Sequence, residues 1–160
     1  MMKEVEGDIL LTKAEALAHS VAVDDAFKQG LSLHLKEQWP ALYKDFRHFC
    51  KTHPPKEGDV WSWKGPGGPV IFNLFIQAAP EMEGGIPSKA HLSSLNHALK
   101  KLVKELNDQS IKSVAITKIA TGVGGLSWDE VKPVIDKTLS HYEGRVFVYS
   151  TYKPKVAAKE

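Results

Sequence analysis

One cysteine, Cys50, stands among 160 residues, so no internal disulfide is available and packing alone must hold the fold. A lone thiol suits a reducing compartment. No block of five or six like charges occurs, and the formal net charge is only +2. Both argue against a nucleic-acid partner held through its phosphates. Long hydrophobic runs are missing too. The longest uncharged stretch, Gly65 to Pro80, is too short for a bilayer span and is interrupted by prolines and glycines. Met1 to Glu6 lacks the apolar core of a signal peptide. The expectation is a cytoplasmic monomer with no membrane partner. No C-x-x-C or H-E-x-x-H pattern surrounds His34, His48, His53, His91, His97 or His141, so neither a metal site nor a bound cofactor is expected.

What is present is an ordinary globular composition, 42% hydrophobic and 25% charged, with enough chain for one domain and a sizeable core. Lys3 to Glu6 reads as a short edge strand running into a turn at Gly7-Asp8-Ile9-Leu10. Ala16 to Val23 is a compact apolar run, a buried strand. A helix carrying Leu35 and Trp39 follows. Pro40 opens another, to about Lys51, with Leu42, Phe46 and Phe49 inward. Asp59 to Lys64 alternates as a half-exposed strand. Gly65-Pro66-Gly67-Gly68 then turns it back into the near-continuous apolar strand Val70 to Ile76.

Leu92, Leu95, Leu99, Leu102, Val103 and Leu106 recur at helical spacing within a predicted helix from Ser88 to Asp108. Arg145 to Tyr149 is the last strand, and Lys153 to Glu160 reads as a frayed polar tail. Strands alternating with helices predict an α/β fold, a three-layer α/β/α sandwich with a mixed central sheet. Residues 1–152 form its one domain, with the ligand at the carboxyl ends of the strands.

The most informative stretch runs from Ser113 to Val134. The β-branched run Ser113 to Thr117 leads into Thr121-Gly122-Val123-Gly124-Gly125, then into a helix whose capping box is Ser127 with Glu130. A glycine turn at a helix N-terminus lets backbone N–H groups approach an anion closely. It is neither a Walker loop nor a G-x-G-x-x-G fingerprint, so an ordinary tight connection accounts for it equally well.

Taken together, Gly7-Asp8-Ile9, Leu17-Ala18-His19-Ser20, Ile119 to Trp128 and Tyr149 resemble a macrodomain. The likeness covers about Lys3 to Tyr149. It is nearest to the branch holding the terminal ADP-ribose glycohydrolase and the antitoxin that removes ADP-ribose from DNA. Leu17 to Ser20 and Asn73-Leu74-Phe75 also resemble the yeast ADP-ribose-1''-phosphate phosphatase. The resemblance implies ADP-ribose or an ADP-ribosylated substrate as partner. It places Asp8 on the adenine amino group with Gly7 and Ile9 beside it, and Tyr149 against the base. Ser20, Gly30, Leu31 and Asn73 fall in the ligand site. Thr121, Gly122, Val123, Gly124 and Gly125 wrap the diphosphate and distal ribose.

The chain departs from that pattern at three places. Its first phosphate loop, Phe27 to Ser32, has a single glycine, with Lys28 as a substitute charge. Gln77 stands where the deacylase branch carries a lysine, and an amide cannot form the adduct an amine can. Gly124 stands where the terminal glycohydrolase carries an aspartate. The remaining candidates for chemistry are His19, as acid or base, and Asp25, beside Asp24, to orient it or a water. Glu81 and Glu83 belong to a loop beside the site. Trp61 and Trp63 alternate on one strand face, where packing is the simpler account. Three functions stay open: hydrolysis of an ADP-ribose derivative (the 1''-phosphate or an ester-linked ADP-ribosyl group), non-catalytic reading of ADP-ribosylated protein, and a decayed site acting through protein contacts.

Overall fold

A computed structural model describes residues 2–80, 82, 89–122 and 124–160. Predicted features at Glu81, Glu83, Ser88 and Val123 lie outside these residues. Among the described residues six strands form one sheet: β1 (Met2–Gly7), β2 (Ala16–Ala22), β3 (Val60–Lys64), β4 (Val70–Gln77), β5 (Ser113–Thr117) and β6 (Arg145–Tyr152). The helices are α1 (Gly30–Gln38), α2 (Pro40–Thr52), α3 (Leu92–Asp108) and α4 (Trp128–Leu139), with a 3-10 turn over Ile9–Leu11. The sheet order is β1-β6-β5-β2-β4-β3. Its pairings are parallel except for the antiparallel hairpin of β3 on β4.

Alternation along the strands sorts their side chains onto two faces. Ala16 and Ala18 of β2, Phe72 and Leu74 of β4, and Val114 and Ile116 of β5 pack with Leu95, Leu99 and Leu102 of α3 and Ile135 of α4. Leu17 and Val21, Ile71 and Phe75, Ala115 and Phe147 face the other way, onto Leu35 of α1 and Leu42 and Phe46 of α2. The result is the mixed-sheet, three-layer sandwich expected from the order of elements. His19 and Asn73 share the α1–α2 face because each falls on the odd positions of its strand, and they are direct register partners.

Boundaries move where caps and burial differ from the apolar pattern. α3 begins at Leu92, with His91 as a cap residue that makes no side-chain cap bond. Leu92 itself is exposed, so the inward stripe starts at Leu95. β6 runs on to Tyr152 because Glu6 and Gly7 of β1 continue to pair with Thr151 and Tyr152. Trp61 and Trp63 share the face covered by α2. The Trp61 ring stacks on Phe49 at 5.2 Å, and the Trp63 Nε1–H donates to Asp45.

The frayed tail is a correction. Lys153 to Glu160 folds back along β1 and the 3-10 turn. The Lys153 N–H donates to the Gly7 carbonyl, and the Asp8 N–H donates to the Val156 carbonyl at 2.7 Å. The Glu160 carboxylate accepts from the Lys13 N–H, the Thr12 hydroxyl and the Tyr149 hydroxyl. Polar composition suggested solvent, but the edge strand and the turn after it offer backbone partners that the tail satisfies.

Candidate functional site

A cavity of about 1040 Å³ opens at the carboxyl ends of β2, β4 and β5. That is the upper end of the range for small-molecule sites. Strand β2 contributes His19 and Ser20. The loop after it contributes Asp24, Asp25, Ala26, Lys28 and Gln29, and the start of α1 contributes Gly30, Leu31 and Ser32. Gln77, Ala79 and Pro80 come from the end of β4 and beyond. Thr117, Lys118, Ala120, Gly122 and Gly124 come from the end of β5 and the glycine loop.

The first loop is shaped by Asp25. One of its carboxylate oxygens accepts from the Ala22 N–H and the other from the Phe27 N–H, both at 2.9 Å. A short acidic side chain bonding its own backbone is the usual way to hold a tight turn. Asp25 thus lines the cavity with both oxygens already engaged in the loop. Phe27, at φ +52, lies in the left-handed region and is wholly buried, anchoring the loop against Phe46 and Tyr43. Gly30, the loop's single glycine, has φ +63, and a Cβ placed there would meet none of the described residues within 4 Å. The space over it is open to a ligand.

The two helix N-termini near the site differ. Ser127 and Glu130 cap α4 reciprocally, occupying donors at its start. Gln29 makes no side-chain cap on α1, and the first residues of α1 line the cavity. The end with N–H groups to offer an anion is therefore α1, not the capped helix that follows the glycine loop.

The glycine loop is held from several sides. The Ser20 hydroxyl accepts from the Ala120 N–H at 3.5 Å, joining the loop to β2. The Thr121 hydroxyl donates to the Lys118 carbonyl, and the Ala90 N–H donates to the Gly124 carbonyl. At Gly122 a Cβ would meet none of the described residues within 4 Å, whereas at Gly124 a Cβ would strike the backbone of Ala120. Gly125, at φ +74, needs a glycine's backbone freedom.

His19 is 2% exposed. Its Nε2–H donates to the Asn73 side-chain oxygen at 2.7 Å, since the Asn73 amide N–H donates to the Trp61 carbonyl. That leaves Nδ1 as a bare acceptor, buried and without a hydrogen-bond partner among the described residues. Burial pushes the imidazole pKa down to about 4, against smaller opposing effects of Asn73 and Asp25. His19 is therefore neutral at pH 7, an acceptor and a weak base. Cys50 touches the same region through the Asp24 backbone, and burial raises its thiol pKa, which keeps it the unreactive thiol.

Gly7, Asp8, Ile9 and Tyr149 are gathered together, but beyond the edge of the cavity. Asp8 is 6% exposed. One carboxylate oxygen accepts from the Leu10 N–H and the other from the Lys155 N–H. The Tyr149 ring lies in the core, and its hydroxyl donates to Glu160 at 2.6 Å. The exposed aromatic at that strand's end is Tyr152, stacked on His34 of α1 with ring centroids 6.4 Å apart.

Sequence reading missed one wall. Tyr43, Arg47 and Lys51 of α2 line the cavity. Their spacing of four puts them on one stripe beside the buried Leu42, Phe46 and Cys50, and that stripe was the available signal. With Lys28 and Lys118 they give the cavity four cationic side chains, none in an ion pair among the described residues. No group of three His, Cys, Asp or Glu suited to a metal is present among the described residues. No helix there is long and apolar enough to cross a membrane.

A Macro domain family model matches residues 14–135. The chain is similar to a DNA ADP-ribosyl glycohydrolase of Thermus aquaticus, 28% identical over 156 residues, which are 93% of this chain and 41% of that protein. It is also similar to a Thermosipho africanus DNA ADP-ribosyl transferase–DNA ADP-ribosyl glycohydrolase fusion protein. There the identity is 24%, over 95% of this chain and 42% of the other. The chain thus spans about two-fifths of the length of these curated relatives. Among solved structures, the macrodomain of Thermus aquaticus DarG superposes with a TM-score of 0.82 at 27% identity, covering 94% of this chain and 98% of that one. Thermosipho africanus DarTG in complex with ADP-ribose superposes at 0.83 and 21% identity, covering 95% and 41%.

Proposed function

The chain belongs to the Macro domain family, and from that premise we propose that it binds ADP-ribose in the cavity at the carboxyl ends of β2, β4 and β5 and hydrolyses a derivative of it. The observation that carries the reading is the pairing of two unlike features in one cavity. At one side is an anion-ready wall: the uncapped start of α1, the open Gly30 and Gly122, and Lys28, Arg47, Lys51 and Lys118. It suits a diphosphate. At the floor is the neutral His19, whose bare Nδ1 suits a hydroxyl donor such as a ribose or a water. The solved ADP-ribose complex of a protein with this fold supports the assignment.

In this reading His19 positions rather than drives the chemistry. A base whose conjugate acid titrates near pH 4 takes a proton weakly at neutral pH. Its contribution is to hold a hydroxyl or water in one orientation while the cationic wall fixes the diphosphate. The substrates that suit this are the 1''-phosphate of ADP-ribose or an ester-linked ADP-ribosyl group. Gln77 stands where the DNA-directed antitoxin resembled by this chain relies on a lysine, so deglycosylation of DNA is not part of the proposal. A second reading, a non-catalytic reader of ADP-ribosylated protein, is favoured by Asp25, whose carboxylate is committed to its own loop.

Calorimetric titration with ADP-ribose tests the binding. Heat with a saturating isotherm is expected, and neither heat nor a thermal shift at millimolar ligand would remove the assignment. Release of phosphate from ADP-ribose-1''-phosphate then separates the two readings. Turnover lost in His19→Ala with binding kept supports the hydrolase, and no turnover by the unaltered chain supports the reader.

A further inference from the structure

Asp8 offers two groups side by side, a backbone N–H and a carboxylate oxygen, and both are taken by one stretch of the chain's own tail. The Asp8 N–H donates to the Val156 carbonyl at 2.7 Å, and the Lys155 N–H donates to Asp8 Oδ2 at 3.0 Å. One donor and one acceptor, presented together to a carboxylate and an N–H, is also what the amino edge of adenine presents through its amino group and adjacent ring nitrogen. The tail peptide and an adenine edge are therefore alternative occupants of Asp8.

The way the tail is held fits an exchangeable element. With Lys153, Pro154, Lys155, Val156 and Ala157 exposed and Ala158 packed on the core beside Gly7, the segment buries little apolar surface. It is fastened instead by polar contacts: Lys153 to Glu6 and Gly7, and Glu160 to Tyr149, Thr12 and Lys13. Lys155 sits at φ +60, a left-handed conformation that a lysine keeps only while its surroundings impose it. Segments with few buried apolar contacts are the first to open locally.

We propose that residues 153–160 are a displaceable strap that competes with the adenine base for Asp8, so that ligand entry and strap release are coupled. The inference rests on the ADP-ribose reading above and supplies its regulation. With the strap seated, the cavity takes the diphosphate and distal ribose while the base edge is blocked. With the strap released, Asp8 becomes free and the whole nucleotide is gripped.

The test compares ADP-ribose affinity by calorimetry in the full chain, in Glu160→Ala, which loses one anchor, and in a chain ending at Tyr152. Amide exchange of Lys155 is followed in the full chain with and without saturating ADP-ribose. Affinity is expected to rise severalfold in Glu160→Ala and at least about tenfold in the shortened chain, and the Lys155 amide to exchange faster in the complex. If the shortened chain does not fold, Glu160→Ala and the Lys155 exchange decide. Equal affinities with unchanged Lys155 protection overturn the strap while leaving the binding reading intact. No binding by any of the folded forms overturns the binding reading itself.

Discussion

His19 and Asn73 are register partners on adjacent strands, and the histidine Nε2–H donates to the asparagine oxygen at 2.7 Å inside the sheet's α1–α2 face. The asparagine amide in turn donates to the Trp61 carbonyl on β3. One side chain thereby fixes the histidine's tautomer and turns its bare nitrogen into an acceptor.

Replacing Asn73 removes that control. In Asn73→Leu the His19 Nε2–H loses its partner within the buried sheet face. The expected cost is about 1–3 kcal/mol of stability, the usual range for a buried polar group left unpaired. Urea unfolding reads it directly, and an unchanged midpoint would show that His19 does not depend on the amide.

The same histidine sets a pH dependence. Its folded pKa lies near 4, below the ordinary 6.5, because burial penalises the charged ring. Between those values the unfolded chain binds the proton and the folded chain does not. The histidine's contribution is therefore full above about pH 6.5 and lost as pH falls toward 4, on the order of 3 kcal/mol across the window. A His19→Gln variant should show a flatter stability profile over this range in thermal melts.

Restoring the acid that the glycohydrolase branch carries should not restore its chemistry. A side chain at Gly124 would press on the Ala120 carbonyl, with the Ala120 Cα 2.8 Å from the new Cβ. These are backbone atoms, so the loop itself would have to move. Gly124→Asp is expected to lower the melting temperature and weaken ADP-ribose binding. A variant with unchanged stability that gained hydrolysis would contradict this account of the loop.

The capping box at the start of α4 gives a local test. The Ser127 hydroxyl accepts from the Glu130 N–H, and the Glu130 carboxylate accepts from the Ser127 N–H. Ser127→Ala should cost about 0.5–2 kcal/mol, seen in denaturation. ADP-ribose affinity is expected to hold, because the wall proposed for the diphosphate is at α1 rather than at this capped end.

Much of the architecture was legible in the chain. The near-continuous apolar runs Val70 to Ile76 and Ala16 to Val23 mark interior strands, the leucines from Leu95 to Leu106 mark the buried face of α3, and Ser127 with Glu130 marks where α4 starts. These are local patterns, an unbroken apolar run, a repeat of about four and a capping pair, so they survive without knowledge of partners. The glycine loop after β5 and the first loop were likewise visible, and both line the cavity. Tertiary structure decided what no local pattern encodes. It set Arg47 and Lys51 on the cavity wall, because that depends on the angle at which α2 crosses the sheet. It gave Asp25 to its own loop and left His19 Nδ1 without a partner among the described residues, because hydrogen-bond ownership is settled only when every neighbour is in place. It laid a polar tail over Asp8, because pairing between residues nearly 150 positions apart depends on which backbone groups the folded edge leaves unmet.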